Sequence, residues 1–352
     1  MIFRNILEKK PLEINDIVEL LSSTEEEMDL LFEYARELRD QTVGNKIYLR
    51  ATLYLSNICS KNCLFCGLRK ENNAIERFSI EENEIESIAQ KVITEKYQSL
   101  YIETGERQDS KFIDKIDRIV KSIKDESLTD IGITLACGEQ KPETYSKWFK
   151  SGAHRYILNL ETTNDFLYQH ITPNDFDHNL DYRKRCLKSL LKIGYQVGSG
   201  IMTGIPYQTH EDIATDLKYL ADSNIHKFIA GAYIENSSTP LYEENKYLLT
   251  QQERMLLSLK CIAIMRIMMP DIAIIPSSSI LAMDKLGWQK AINAGANIIL
   301  PNITPALETS KYDIYNSDNQ VQSMSLENIS LDQKRNPIAF GEWGDSLRYF
   351  AK

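Results

Sequence analysis

The stretch from Ser56 to Arg69, SNICSKNCLFCGLR, constrains this chain more than any other. Within it, Cys59, Cys63 and Cys66 are separated by three and then two residues, so one short loop carries three thiols. Three thiolates can hold three irons of a cubane iron–sulfur cluster and leave the fourth iron without a protein ligand. A zinc site takes four protein ligands when structural, or three and a water when catalytic, and no fourth Cys or His lies nearby. The spacing therefore favours a [4Fe–4S] cluster with one open iron over a zinc site.

Composition narrows the class of protein. The chain has 352 residues, of which 43% are hydrophobic, so it can bury a sizeable core as one large barrel or as two domains. Its net charge of -9 disfavours a nucleic-acid partner. No apolar run is long enough to span a membrane, and the N-terminus lacks the apolar core of a signal peptide. We therefore expect a cytoplasmic protein with reduced cysteines and no membrane partner.

The order of periodic segments predicts the fold. Residues 1–45 show helical spacing and are expected to form an N-terminal helical extension. Eight strand-like segments then alternate with helical patterns: Tyr48–Leu55, Leu100–Thr104, Asp130–Leu135, Arg155–Leu160, Val197–Thr203, Lys227–Tyr233, Ile272–Pro276 and Asn297–Leu300. This alternation predicts a (β/α)8 barrel of the TIM type over residues 46–305. An open doubly wound sheet is the weaker alternative, because no Gly-rich dinucleotide turn follows the first strand. The mostly polar segment 306–352, which includes a predicted loop at 316–319, is expected to pack on the barrel.

The pattern Cys-x-x-x-Cys-x-aromatic-Cys after a first strand resembles the radical S-adenosylmethionine (SAM) superfamily, with Phe65 as the aromatic residue. This resemblance implies a [4Fe–4S] cluster and SAM as cofactors, and reductive cleavage of SAM to a 5′-deoxyadenosyl radical. The segment Thr104-Gly105-Glu106 resembles the element of that superfamily that holds the SAM amino group. Three residues expected at the strand ends, where barrel enzymes place their sites, are also assigned to SAM: Glu161, Gly204 and Ile205. Arg183, on the helix before the fifth strand, is assigned to the SAM carboxylate as a bidentate partner.

A second set of residues is expected to face the substrate. Cys137 follows the third strand. Thr134 and the serines at 277–279 offer neutral hydrogen bonds to the same region. Asn159 stands at the end of the fourth strand, two residues before Glu161. The predicted substrate residues are Thr134, Cys137, Asn159, Ser277, Ser278 and Ser279.

Within the superfamily, the chain is most similar to the HydE family of [FeFe]-hydrogenase maturases. The similarity is carried by the Cys-Gly-Leu-Arg run at 66–69, by Thr203-Gly204-Ile205-Pro206 and by Gly295-Ala296-Asn297-Ile298. Methylornithine synthase (PylB) and biotin synthase share the barrel and several of these motifs. Asn159 is a departure, because the HydE family carries an arginine there in a wall that handles an anionic substrate.

Three functions follow as hypotheses. The first is a HydE-like enzyme that modifies a small substrate in H-cluster maturation, with an electron donor such as ferredoxin or flavodoxin and with other maturation proteins as partners. The second is a PylB-like amino-acid mutase or another small-molecule radical SAM paralogue. The third is a non-catalytic iron–sulfur carrier or scaffold, which has no need of Glu106, Glu161 and Arg183.

Overall fold

Parallel strands form the centre of the molecule. The computed structural model describes residues 2–126, 131–315 and 334–340. Its strands are β1 Ile47–Leu49, β2 Ala51–Ser56, β3 Ser99–Thr104, β4 Gly132–Ala136, β5 Arg155–Ile157, β6 Gln196–Thr203, β7 Lys227–Ala232, β8 Ala273–Pro276, β9 Ile298–Ile299 and β10 Ile338–Ala339. Strands β2 to β8 make one seven-stranded parallel sheet in chain order. Strand β1 pairs with β9 on one side and with β10 on the other.

The curled sheet closes through β9. The Asn297 backbone N–H donates to the Ile274 carbonyl at 3.2 Å, which links β9 to the last strand of the large sheet. On the other side, the Arg50 N–H donates to Ile299 at 3.0 Å, and the Thr52 N–H donates to Pro301 at 2.7 Å. The eight predicted strands are therefore all present, with the first divided into β1 and β2 at Arg50. The predicted (β/α)8 barrel is confirmed.

Helices cover the outside of the barrel. They are α1 Ile2–Glu8, α2 Ile14–Leu21, α3 Glu25–Thr42, α4 Glu82–Thr94, α5 Ser110–Glu126, α6 Pro142–Lys150, α7 Asp165–Ile171, α8 Leu180–Ile193, α9 His210–Asp222, α10 Gln251–Met268, α11 Ser278–Met283, α12 Gly287–Asn293 and α13 Ala306–Lys311, with a 3-10 helix at Pro240–Tyr247. The main hydrophobic core lies between these helices and the sheet. A smaller cluster that includes Tyr101, Ile157, Ile229 and Ile275 fills the barrel interior.

The N-terminal helices pack against the barrel helices rather than extending from them. Helix α3 contacts α10, and α2 contacts α9. The buried Arg39 of α3 donates to the Ile292 carbonyl at 2.9 Å and to the Asn336 side chain at 2.9 Å. It thereby ties the extension to the end of α12 and to the chain just before β10. The division at residues 45 and 305 stays a prediction, and residues 316–333 and 341–352 of the expected C-terminal segment lie outside the described residues, including the predicted loop at 316–319.

Several helices begin at residues that cap their first backbone N–H groups. Thr209 and Thr250 cap α9 and α10 in reciprocal capping boxes, as their sequences predict. The pattern Ser79-Ile-Glu-Glu82 also predicts a capping box, but the box lies two residues later, with Glu81 at the cap of α4 and Glu84 completing it. Within the described ranges, none of the helices combines the length and the apolar character that crossing a bilayer requires.

Candidate active site

The cysteine loop leaves the C-terminal end of β2, and the side chain of Asn57 ties its start to the backbone of neighbouring segments. The Asn57 amide donates to the carbonyls of Glu76 and Lys311, both at 2.8 Å, and accepts from the Phe78 N–H at 2.8 Å. Asn57 is fully buried. These bonds place the loop directly over the barrel mouth, where (β/α)8 enzymes carry their sites.

Arg77 supports the loop from its other end. Its guanidinium donates to four carbonyls, at 2.8 Å to Asn57, 2.9 Å to Leu68, 2.6 Å to Arg69 and 3.0 Å to Asn72. Arginine suits this position because its planar group presents five donors in a fixed arrangement. One side chain thus joins both ends of the segment that carries the three cysteines.

Replacing Arg77 with alanine should loosen this loop and lower cluster retention. Four carbonyls lose a charged donor, and we expect a loss of about 2–4 kcal/mol in stability. Iron content per protein after anaerobic reconstitution should fall by at least half. The matched control is Arg118→Ala, which removes an arginine from an exposed ion pair with Glu82 and should leave iron content unchanged. Equal iron content in both variants would contradict the role of Arg77.

The three cysteines border one cavity. We call it the cysteine cavity; it measures about 210 Å³ and is lined by Cys59, Cys63, Cys66, Glu106, Arg183 and their neighbours. All three are free thiols. Burial raises the pKa of each thiol, that of Cys66 to about 12, and the neighbouring cysteines raise those of Cys63 and Cys66 further because like charges repel. Only ligation by a cation would make three thiolates stable together here.

Within the described ranges, no three His, Cys, Asp or Glu side chains are close enough to hold a single metal ion together. A cubane cluster makes a different demand, because each thiolate binds its own iron. The lack of such a group among the described residues therefore does not count against a cluster.

Two carboxylates and two cations form a partly buried charged network beside the thiols. Arg183 of α8 donates from Nη2 to Glu106 Oε1 at 3.0 Å and from Nη1 to Glu139 Oε1 at 3.2 Å. Lys61, inside the cysteine loop, pairs with Glu139 Oε2 at 2.7 Å. Burial acts to raise the pKa of Glu106, but Arg183 and Lys61 outweigh it and hold that pKa below its usual value. Glu106 is therefore an ionised carboxylate within this network.

Close backbone approach joins this network to the loop. The Gly105 N–H donates to the Ser56 carbonyl at 3.0 Å, and the Ser60 N–H donates to the Glu106 carbonyl at 2.8 Å. A Cβ atom on Gly105 would lie 2.4 Å from the Ile58 carbonyl oxygen. Thr104, which stands in place of a glycine, lines the cavity and bonds its hydroxyl to the Gly105 carbonyl at 2.8 Å.

The end of β5 contributes a strained acid. Glu161 has a φ of 66°, in the left-handed region that non-glycine residues rarely adopt, which costs on the order of 1 kcal/mol. Its backbone is held there because the Met202 N–H donates to the Glu161 carbonyl at 2.8 Å. Burial raises the pKa of Glu161 to about 7, and the Glu106 charge adds to this while Arg183 opposes it. Glu161, Asn159 and Phe65 border both this cavity and a second one.

The second cavity lies deeper in the barrel. We call it the inner cavity; it measures about 170 Å³ and is lined by residues that include Tyr54, Tyr101, Glu103, Ser277, Ser278, Ser279, Tyr312 and Tyr315. Glu103 accepts a hydrogen bond from the Tyr312 hydroxyl at 3.1 Å. Burial raises the pKa of Glu103 to about 7, although the Tyr312 hydroxyl opposes this. A carboxyl group thus faces an apolar chamber next to the cysteine cavity.

This raised pKa predicts a pH-dependent stability. Below the ordinary glutamate pKa of 4.5, Glu103 is protonated in both the folded and unfolded states and contributes nothing. Between pH 4.5 and 7 the unfolded chain loses the proton while the folded protein keeps it, so the folded state is disfavoured increasingly up to about pH 7. Glu103→Gln should therefore raise the free energy of unfolding at pH 8 by on the order of 2 kcal/mol, and by much less at pH 5. Thermal unfolding at both pH values checks this, and equal shifts at the two would contradict it.

The structure does not bring all predicted site residues together. Cys137 is fully buried in the core between sheet and helices, and Thr134 is buried below the cavities; neither lines them. Alternation along the strand explains Cys137, since its neighbour Ala136 takes the cavity-facing position. Gly204 and Ile205 also lie outside both cavities. A Cβ on Gly204 would meet Arg254 Cγ at 2.2 Å, so helix packing requires a glycine here, and its assignment to SAM stays a prediction.

Several residues of the site were not predicted from the sequence. Lys61 and Glu139 complete the charged network; Lys61 lies within the cysteine loop, and Glu139 lies two residues after Cys137. Glu103 directly precedes the Thr104-Gly105-Glu106 element, and alternation along β3 places it on the same face as Tyr101. Tyr312, from the segment after α13, carried no local signal.

Comparison with known proteins identifies the family. The model of the radical SAM superfamily matches residues 53–220. The chain is 34% identical over 288 residues to the [FeFe] hydrogenase maturase subunit HydE of Thermotoga maritima, covering 82% of this chain and 79% of that protein. The chain belongs to the radical SAM superfamily. It is accordingly a radical SAM enzyme, of a family that uses a [4Fe–4S] cluster and SAM and that needs a reductant.

Other radical SAM proteins match over most of the chain. The 3-methylornithine synthase of Methanosarcina acetivorans is 26% identical over 340 residues, covering 93% of this chain and 92% of that protein. The crystal structure of methylornithine synthase (PylB) superposes with a TM-score of 0.74 at 25% identity, covering 85% of each chain. The HydG structure from Carboxydothermus hydrogenoformans has a TM-score of 0.81 at 20% identity, covering 99% of this chain and 80% of that one, and supports the fold.

The residues present fit the two cofactors of this family. Three free thiols border one cavity, as three ligands to a cluster require. Beside them, the Glu106–Arg183 pair offers an anion and a bidentate cation, which complement the ammonium and carboxylate of an amino acid. The cysteine cavity therefore has the charge pattern that the methionine part of SAM needs.

Proposed function

We propose that this radical SAM enzyme is HydE-like and modifies a small substrate during [FeFe]-hydrogenase maturation. The observation that carries the proposal is the arrangement of two adjoining cavities, one bordered by the three cysteines and the other enclosed by the barrel. The 34% identity to HydE over most of both chains supports the maturation role. A carrier protein would have no use for the second cavity or for the partly buried Glu106–Arg183 pair.

Each part of the site has a role in this proposal. Cys59, Cys63 and Cys66 hold the cluster, and Glu106 and Arg183 bind the amino-acid end of SAM. When bound, the cluster and SAM supply a one-electron reductive cleavage that yields methionine and a 5′-deoxyadenosyl radical. Glu161 is placed to accept a hydrogen bond from the ribose. The barrel wall excludes water from the inner cavity, where the substrate lies next to the SAM site.

A second candidate function is a rearrangement of the kind that its relatives named 3-methylornithine synthase carry out. Asn159 favours it, because the HydE family has an arginine at this point of the cavity wall. The match over 93% of this chain also favours it. In either function we propose a ferredoxin or flavodoxin as electron donor and a cytoplasmic location, with other maturation proteins as further partners in the first.

Anaerobic reconstitution tests the proposal. Protein loaded with iron and sulfide, then given SAM and dithionite, should release 5′-deoxyadenosine, and Cys63→Ser should release none. The maturation role is tested in a hydrogenase-producing host that lacks HydE, where this chain should restore hydrogenase activity. Absence of 5′-deoxyadenosine from the wild-type protein would overturn the enzymatic proposal. Cleavage without restored hydrogenase activity would favour the second candidate.

A further inference from the structure

The inner cavity places four tyrosines around the carboxylate of Glu103. Tyr54 stands directly across from Glu103 in the register of β2 and β3, and Tyr101 lies two residues before it on the same face of β3. Tyr312 donates its hydroxyl to Glu103 and stacks on Tyr54 with 4.0 Å between ring centroids. Tyr315 also lines the cavity. The Glu103 charge adds to burial in raising the pKa of all four hydroxyls, so all four lie within its electrostatic reach.

Within the described part of the chain, the inner cavity offers no countercharge to Glu103. Among the residues that the structure describes, no Lys, Arg or His lines the inner cavity, and Glu103 takes part in none of the ion pairs. Glu103 also borders the cysteine cavity, but the cations there, Lys61 and Arg183, are already paired with Glu139 and Glu106. A buried carboxylate without a cation is costly, and such a group is commonly matched by a ligand.

We propose that the inner cavity binds the protonated amine of a small substrate, with Glu103 as the partner of the ammonium. A cation beside several aromatic rings is stabilised by the rings as well as by the carboxylate. Ile157, Ile229 and Ile275 provide an apolar wall for the carbon chain of the amine. The Thr52 hydroxyl is fully buried and has no hydrogen-bond partner within the described ranges, so it offers a polar contact at the same cavity.

The same features exclude other small molecules. A carboxylate or phosphate in the inner cavity would face Glu103 and Glu161 with no cation among the described lining residues. Neutral partners such as Ser277 and Ser279 do not offset that repulsion. The cavity should therefore select an amine over an acid, and over an alcohol of equal length. The inference rests on the proposed function only in taking the inner cavity as the substrate site.

Equilibrium binding to the reconstituted holoenzyme in the presence of SAM tests the proposal. The probes are n-butylammonium, n-butanol and n-butyrate, followed by ligand-observed NMR at pH 8. We expect n-butylammonium to bind at least 10-fold more tightly than either of the others. Glu103→Gln should weaken its binding at least 10-fold, because the ammonium loses its buried partner. Glu103→Asp, which keeps the charge, should restore part of the affinity.

The outcomes separate this inference from the proposed function. Wild-type protein that releases 5′-deoxyadenosine but binds n-butyrate as well as n-butylammonium would overturn the inference alone. Absence of 5′-deoxyadenosine would overturn the proposed function, whether or not n-butylammonium binds. The affinities of the three probes are compared on the wild-type protein, so the inference remains testable even if the Glu103 variants fold poorly. The matched control for them is Glu143→Gln, an exposed position in α6 that should leave all three affinities unchanged.

Discussion

Arg183→Ala is expected to lower the release of 5′-deoxyadenosine at least 100-fold. Arg183 bridges Glu106 and Glu139, and its removal leaves Lys61 as the remaining cation of the network. Removing one partner of a buried ion pair costs about 3–5 kcal/mol, because the other charge stays buried without compensation. The same change removes the bidentate group proposed for the SAM carboxylate, so the loss should appear in SAM affinity as well as in rate.

Two variants on the same helix make this result specific. Arg183→Lys keeps the charge but presents one donor group in place of the planar fork, so it should retain an intermediate activity. Arg185→Ala removes an exposed arginine two residues along α8 and should change SAM cleavage by less than twofold. Activity of Arg183→Ala within threefold of the wild type, with SAM bound equally well, would show that another group holds the amino-acid end of SAM.

Gly105→Ala is expected to abolish cluster binding. Its Cβ would lie 2.4 Å from the Ile58 carbonyl oxygen and 2.9 Å from Cys59 Cα, and both atoms belong to the backbone. No side-chain rotation relieves contacts of this kind, so the cysteine loop must move away from β3. We expect a fall of at least fivefold in iron bound after reconstitution, together with a loss of about 1–3 kcal/mol in stability.

The matched glycine lies far from the site. A Cβ on Gly44 meets no atom within 4 Å, so Gly44→Ala adds only the strain of its φ of 82°, about 1 kcal/mol. Its iron content should match that of the wild type. If both variants bind iron normally, the close approach of Gly105 to the cysteine loop does not position the cluster ligands.

Local patterns in the sequence predict the fold well and the site in part. The strands follow from periodicity. The helix ends follow from capping residues such as Thr209, at the start of α9, and Gly194, at the end of α8, which interact only with nearby residues in the sequence. Glu106 and Arg183 also follow, because each stands at a strand end or on the helix beside it. By contrast, Cys137 was misassigned to the substrate side, since a shift of one residue along a strand reverses the face.

Other parts of the site depend on residues distant in the sequence. Glu103 acquires its surroundings only when Tyr312, 209 residues later, folds over the barrel mouth. Lys61 and Glu139 are separated by 78 residues, and no periodic pattern links them. These contacts arise from barrel closure, which sequence patterns predict as a topology but not as a set of distances.

The wall between the two cavities has a thermodynamic consequence. Phe65, Asn159 and Glu161 border both chambers, so a molecule bound in one alters the side chains that face the other. Any gain in SAM affinity that an occupied inner cavity produces must be matched by an equal gain in ligand affinity when SAM is present. Reciprocal coupling of this kind would favour SAM binding when the inner cavity is occupied. SAM would then be reduced mainly in protein that already holds its substrate.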